Sequence, residues 1–149
     1  MKLEDELKQR KFNNEYEKLY VNVLYTSGFF ESMAIQRFKP YGISIQQYNV
    51  LRILRGSNPK PLMLADITTR MIDKNSNATR LVEKLRLKGL VKRDICPGNR
   101  RQVDISITTA GLDLLAEIEK DADKFHAWLK TLSLEEAQTM NDLLDKVRG

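Results

Sequence analysis

A single cysteine, Cys96, excludes an internal disulfide and makes a reducing, cytoplasmic setting the expectation. A single histidine, His126, leaves few acid–base options. It would need carboxylates such as Asp121 or Asp123 to complete a metal site, and no His/Cys cluster at ligand spacing is present. The chain has no nucleophile elbow, phosphate-binding glycine loop or metal-binding helix motif, so neither an enzyme nor a metal or other cofactor is expected. No apolar run reaches transmembrane length, and Met1 to Lys11 is charged where a signal peptide would be apolar. No internal repeat or low-complexity tract divides the 149 residues, which suit one domain with a real core.

What is present is an ordinary globular composition, 42% hydrophobic and 30% charged, with its charge unevenly placed. The formal net charge is +5, yet residues 52–103 hold thirteen lysines and arginines against four acids, while residues 104–149 hold five against ten. Concentrated positive charge attracts a polyanion through counterion release, which makes the middle third a candidate for contact with double-stranded DNA.

That third also carries a pattern. Between Asn75 and Lys88, Ala78, Leu81, Val82 and Leu85 recur at helical spacing and form a face for burial. Ser76, Thr79, Arg80 and Glu83 take the opposite face, flanked by Asn77 and Lys84. Short polar and basic groups at the start of a helix suit base edges in a major groove. Gly89 after Lys88 is a helix-ending signal. Leu90 to Cys96 then reads as a strand, Pro97-Gly98-Asn99 as a turn, and Arg100 to Ile107 as a second, alternating strand. A reading helix joined to a hairpin with arginines near its tip predicts a winged helix-turn-helix, with the hairpin, or wing, flanking the helix on DNA.

On the amino-terminal side, Leu3 to Phe38 reads as helix, with Tyr16, Leu19, Tyr20, Val23 and Leu24 in one stripe and Gly28 as a point of bending or interruption. Ser44 and Gln47 form a capping box that opens a helix carrying Tyr48, Val50, Leu51, Ile53 and Leu54. Leu62 to Leu64 suggests a short strand. Leu64 to Ile72 reads as a short helix, with Ala65, Ile67, Met71 and Ile72 as core positions. On the carboxyl side, Thr108 caps a long helix with Leu112, Leu115, Ala122, Phe125 and Leu129 about three and four apart; a run from Thr109 to Leu129 would span roughly 30 Å at about 1.5 Å per residue. Ser133 and Glu136 form a second capping box, opening a last helix with Ala137, Met140, Leu143, Leu144 and Val147 on its apolar face. Terminal helices with apolar stripes beyond the reading module suggest a two-fold dimer interface. The expected fold is mainly α with a small β-hairpin. Residues 42–108 form a winged helix-turn-helix DNA-binding module, and residues 1–39 and 109–149 form a helical dimerisation region.

With these pieces in order, the chain resembles the MarR family of bacterial winged-helix transcription regulators. The likeness covers nearly the whole chain and rests on Gly42-Ile43-Ser44 with Gln47 and Leu51, Thr79-Arg80-Leu81-Val82 with Leu85, and Lys88-Gly89-Leu90-Val91 with Arg93. The wing Asn99-Arg100-Arg101 and Ile107-Thr108-Thr109-Ala110-Gly111 complete it. The resemblance implies a homodimer formed by the first, fifth and sixth helices, a pseudo-palindromic operator, and repression relieved by a small ligand. Carried onto this chain, DNA contacts from the reading helix fall on Ser76, Asn77, Thr79 and Arg80, with Lys84 beside them, and the wing arginine entering the minor groove is Arg101 or Arg100. The family wing usually has aspartate where this chain has Asn99, so the charge-assisted pair that orients the wing arginine is weakened.

Other readings stand beside this one. Tyr25, Phe29, Phe30, Met33 and Tyr48 are candidates to line a crevice for a small aromatic or lipophilic ligand. Phe125 and Trp128 read as interface or core. Cys96 lies near Arg93, Arg100 and Arg101, and neighbouring cations can activate a thiol, so a redox-responsive regulator is one alternative to an incidental strand cysteine. Family members that sense peroxide share a cysteine near the amino terminus, which this chain lacks. An architectural DNA-binding protein with little sequence preference is a further alternative.

Overall fold

Side-chain caps decide where most of the helices begin. In a computed structural model, which describes residues 1–9 and 11–149, the side chains of Asn14, Ser44, Asn77, Thr108 and Ser133 accept hydrogen bonds from the backbone N–H groups of Glu17, Gln47, Arg80, Gly111 and Glu136. Each satisfies a donor that the first helical turn leaves free. At Ser44 and Ser133 the return bonds from Gln47 and Glu136 complete both capping boxes. In chain order the elements are α1 (Leu3–Leu7), α2 (Glu15–Phe38), a 3₁₀ turn (Lys39–Tyr41), α3 (Ile45–Ser57), α4 (Leu64–Arg70) and α5 (Ala78–Leu87). There follow β1 (Val91–Cys96), β2 (Asn99–Ile107), α6 (Thr109–Glu119), α7 (Ala122–Phe125), a second 3₁₀ segment (Ala127–Thr131) and α8 (Leu134–Arg148).

The core gathers around α3, whose Val50, Leu51 and Leu54 are fully buried. Ile67 and Met71 pack there from α4 and its end, Ala78, Val82 and Leu85 from α5, and Leu115 and Ile118 from α6. The two strands pair antiparallel from Val91 opposite Ile107 to Cys96 opposite Asn99, with a register shift between Ile95 and Cys96. Alternation along β2 puts Ile105 and Ile107 into the core. Leu62 bridges to Ile105 through two backbone hydrogen bonds of 2.9 and 2.8 Å, so the short strand expected near Leu62 is a single ladder step. The reading helix is thus clamped between a buried face and a sheet anchored in the same core.

Four expectations change. The amino-terminal helix is two helices. Lys8 turns the chain in the left-handed region, and Asn14 restarts it as the cap of α2. α1 folds back, with Leu3 buried, Glu4 paired to Lys18 at 2.5 Å, and Tyr25 Oη donating to Glu6 at 2.7 Å. Gly28 neither bends nor interrupts α2, which is continuous through it. The long carboxyl helix ends at Glu119. Arg37 Nη2 donates to the Ile118 carbonyl at 2.9 Å and to Asp121 at 3.1 Å, competing for the acceptor that the next helical turn would use. Of the expected α4 core positions, Ala65 and Ile72 are exposed. Ile72 lies beyond the helix end, where its N–H donates to Asn49.

Candidate nucleic-acid interface

The reading helix begins later than its sequence pattern suggests, and this changes which groups face outward. Asn77 is the N-cap of α5, so its side-chain oxygen is committed to the Arg80 N–H at 3.1 Å. Ser76 lies in the preceding turn, where its N–H donates to the Asp73 carbonyl and its hydroxyl is buried without a partner. Ser76 therefore leaves the outward-facing set. Thr79, Arg80 and Lys84 remain, exposed on the face opposite buried Ala78, Val82 and Leu85. Thr79 and Arg101 also line one crevice of about 270 Å³ between α4, α5 and the wing, so helix and hairpin converge as the sequence pattern requires.

The basic residues of this face divide by whether their charge is already spent. Arg86 makes a two-point bond to Glu83 at 3.0 and 2.8 Å, and Arg93 approaches the same carboxylate at 4.0 Å. The Arg86 guanidinium holds the Glu83 carboxyl below the ordinary carboxylate range. Lys92 pairs with Asp94 at 3.0 Å. Among the described residues Arg80, Lys84, Arg100 and Arg101 make no ion pair and are exposed. These four cations are free to neutralise phosphate or meet base edges. Glu83, read from sequence only as part of the polar face, instead selects which cations stay free. Its i,i+3 spacing to Arg86 was the available signal.

At the wing tip Asn99 Oδ1 accepts from the Arg101 backbone N–H at 3.1 Å. The amide therefore fixes the backbone of the turn and does not bond the Arg101 guanidinium. Cys96 is a free, half-buried thiol beside the register shift.

A second crevice, of about 580 Å³, lies between α2, α3 and the 122–131 segment. Of the five aromatic and methionine candidates only Phe30 lines it. Tyr25 is drawn off by Glu6, which raises its phenol above the ordinary value, and Tyr48 stacks on Phe38 at 4.4 Å between ring centres. Phe29 sets its ring edge-on to Trp128 at 5.8 Å, and Met33 is half-buried outside the lining. Trp128 and Phe125, assigned to interface or core, line the crevice, together with His126, Glu31 and Asp73. Trp128 Nε1 is buried without a partner. His126 lies against the Phe125 ring, and among the described residues no group of His, Cys, Asp and Glu is placed to hold a metal. No helix among them is long and apolar enough to cross a membrane.

Comparison with known proteins follows the same lines. The MarR family profile matches residues 43–103, from the start of the α3 cap to the wing. An uncharacterized HTH-type transcriptional regulator of Bacillus subtilis, YfiV, is 30% identical over 123 residues, covering 82% of this chain and 74% of its own. The crystal structure of a MarR transcription factor from Planctomyces limnophilus is 30% identical with a TM-score of 0.70, covering 91% of this chain and 98% of that one. A mutant MarR from E. coli complexed with operator DNA shares the fold at a TM-score of 0.79 and 23% identity, covering 93% of this chain and 99% of that one. A capped helix and a wing that keep four cations unpaired among the described residues, on a fold and sequence shared with these regulators, make this chain a member of the MarR family of DNA-binding transcription regulators, and not an enzyme.

Proposed function

We propose that the protein acts in the cytoplasm as a homodimeric repressor that binds a pseudo-palindromic operator and is released by a small aromatic or lipophilic ligand. The observation that carries the DNA reading is the unpaired, exposed set Thr79, Arg80 and Lys84 on α5 beside Arg100 and Arg101 on the wing. Asn77, with its amide nitrogen uncommitted, completes the set. Residues 42–108 are the DNA-binding module, α5 enters the major groove, and the wing arginines reach the adjacent minor groove.

Support for the homodimer comes from apolar surface at both ends of the chain, in residues 1–39 and 109–149. Tyr16, Leu19, Tyr20, Val23 and Leu24 are exposed along α2, and Leu134, Met140, Leu143 and Val147 along α8, which buries none of its own residues. Apolar faces of this extent are stable in water when a second copy covers them. The ligand reading rests on the larger crevice and on Asp73. Asp73 lines the crevice and also holds the turn before α5, through its carboxylate to the Asn75 N–H at 3.0 Å and its carbonyl to the Ser76 N–H at 3.2 Å. A ligand that draws on Asp73 shifts the Asn77 cap and so the reading helix, coupling occupancy to DNA affinity.

The test is fluorescence anisotropy of the purified protein on DNA from upstream of its own gene and on a scrambled duplex, across a salt series. A preference of roughly a thousandfold or more, at one dimer per site, supports the reading. Equal affinity for that duplex, the scrambled one and every sequence recovered by a genome-wide binding selection overturns it.

A further inference from the structure

We propose that the crevice between α2, α3 and the 122–131 segment selects a lipophilic organic cation, such as an aromatic amine or quaternary onium compound, over an anionic ligand. This rests on the ligand reading above and narrows it. The lining carries two carboxylates, Glu31 and Asp73, and no lysine or arginine. Glu31 accepts no hydrogen bond among the described residues, and Asp73 uses one carboxylate oxygen, toward Asn75.

The aromatic surface suits the same charge. Phe30 and Trp128 meet at 4.7 Å between ring centres, and Phe29 braces Trp128 from outside the lining. Phe125 already accepts a cation on one face, since the Arg37 guanidinium lies 4.3 Å from its centre. A second cation within the crevice gains the same attraction to ring faces while meeting two carboxylates.

An anion finds no lysine or arginine in the lining, and the unpartnered Trp128 Nε1–H offers it one neutral donor against two carboxylates. Arg37 directs its Nη2 to the Ile118 carbonyl and Asp121, its side chain is 7% exposed, and its unpartnered Nε is buried outside the lining. Lys74 donates to the Thr69 carbonyl at 2.6 Å, and Lys130 pairs with Asp123 at 3.6 Å. His126, the other titratable lining group, lies against Phe125. An anion here would lose hydration beside two like charges.

Tetraphenylphosphonium and tetraphenylborate have nearly the same size and shape and opposite charge, and Trp128, the only tryptophan, reports occupancy by its fluorescence. Calorimetric titration of the full-length protein with each, with Trp128 quenching and DNA anisotropy in parallel, separates the outcomes. The cation is expected to bind at least roughly tenfold tighter than the anion, about the size of one cation–π contact, and to weaken DNA binding. Glu31→Gln and Asp73→Asn are each expected to weaken the cation several-fold and not the anion. The asparagine amide oxygen still accepts from Asn75, so the turn before α5 survives that change. Equal or tighter binding of the borate overturns the charge selection and leaves the ligand reading standing. Binding of the cation unaffected by both substitutions also overturns it. If neither ion, nor a neutral phenol, quenches Trp128 or shifts DNA affinity, the ligand reading falls with it.

Discussion

Replacing Arg80 by alanine separates base reading from charge. Arg80 is exposed on α5, makes no ion pair among the described residues, and contributes to the fold through its backbone N–H, which the Asn77 side chain holds at 3.1 Å. Alanine keeps that N–H and is a better helix former, so folding stability should change by less than about 0.5 kcal/mol. The effect on DNA is larger. A side chain that bonds a base edge contributes about 1–3 kcal/mol of discrimination, or roughly a five- to 150-fold loss on the operator. On random DNA only a phosphate charge is lost. There the salt slope falls by about 0.9 at most and the affinity changes little at high salt. Anisotropy titrations on operator and scrambled duplexes, each at several salt concentrations, measure both quantities. Thermal unfolding of the free protein confirms that the fold is intact. Equal fractional losses on the two duplexes would refute base reading by Arg80 and leave it a phosphate contact.

Arg101→Ala should lower the salt slope by about one while preserving most of the preference for operator over random DNA, as the same titrations show, since a wing arginine meets mainly backbone. Gly111→Ala should destabilise the protein by about 1–3 kcal/mol in thermal or denaturant unfolding, because overpacking strains a tight core. The added Cβ would lie 2.4 Å from the Leu90 carbonyl and 2.7 Å from Ile107 Cγ1. Arg55 binds Glu119 at two points, 2.7 and 2.8 Å, which lowers the Glu119 carboxyl below its ordinary 4.5 and raises Arg55. A depressed folded value means the pair stabilises the protein above the unfolded carboxylate value and stops doing so as pH falls through the folded one. Both side chains are about one-third exposed, so the loss is modest, about 0.2–1 kcal/mol below pH 4.5, and Glu119→Gln should remove that part of the acid dependence in pH-resolved unfolding.

Local chemistry and periodicity were enough to locate the reading helix, the wing, both capping boxes and the apolar faces of α3 and α5. Each depends on residues within one or two turns of one another, as Ser44 with Gln47 or Val82 with Leu85. The residues that line the larger crevice were less legible. Aromatic periodicity along α2 identified Phe30 but could not exclude Tyr25, taken by Glu6, or Tyr48, taken by Phe38, because those partners lie far along the chain or on another helix. Trp128, Glu31 and Asp73 come together only when α2, the turn before α5 and the 122–131 segment are packed.

Family membership, the basic middle third and the helix–wing order were thus determined by the sequence alone, because hydrogen-bonding caps, turn residues and charge density act over short stretches of chain. Tertiary structure decided which cations remain free, where the carboxyl helix ends and what surrounds the crevice. Glu83 spends Arg86 and draws on Arg93, and Arg37 meets Ile118 from 81 positions away. Those outcomes depend on which side chain reaches a shared acceptor in three dimensions, and spacing along the sequence does not contain that distance.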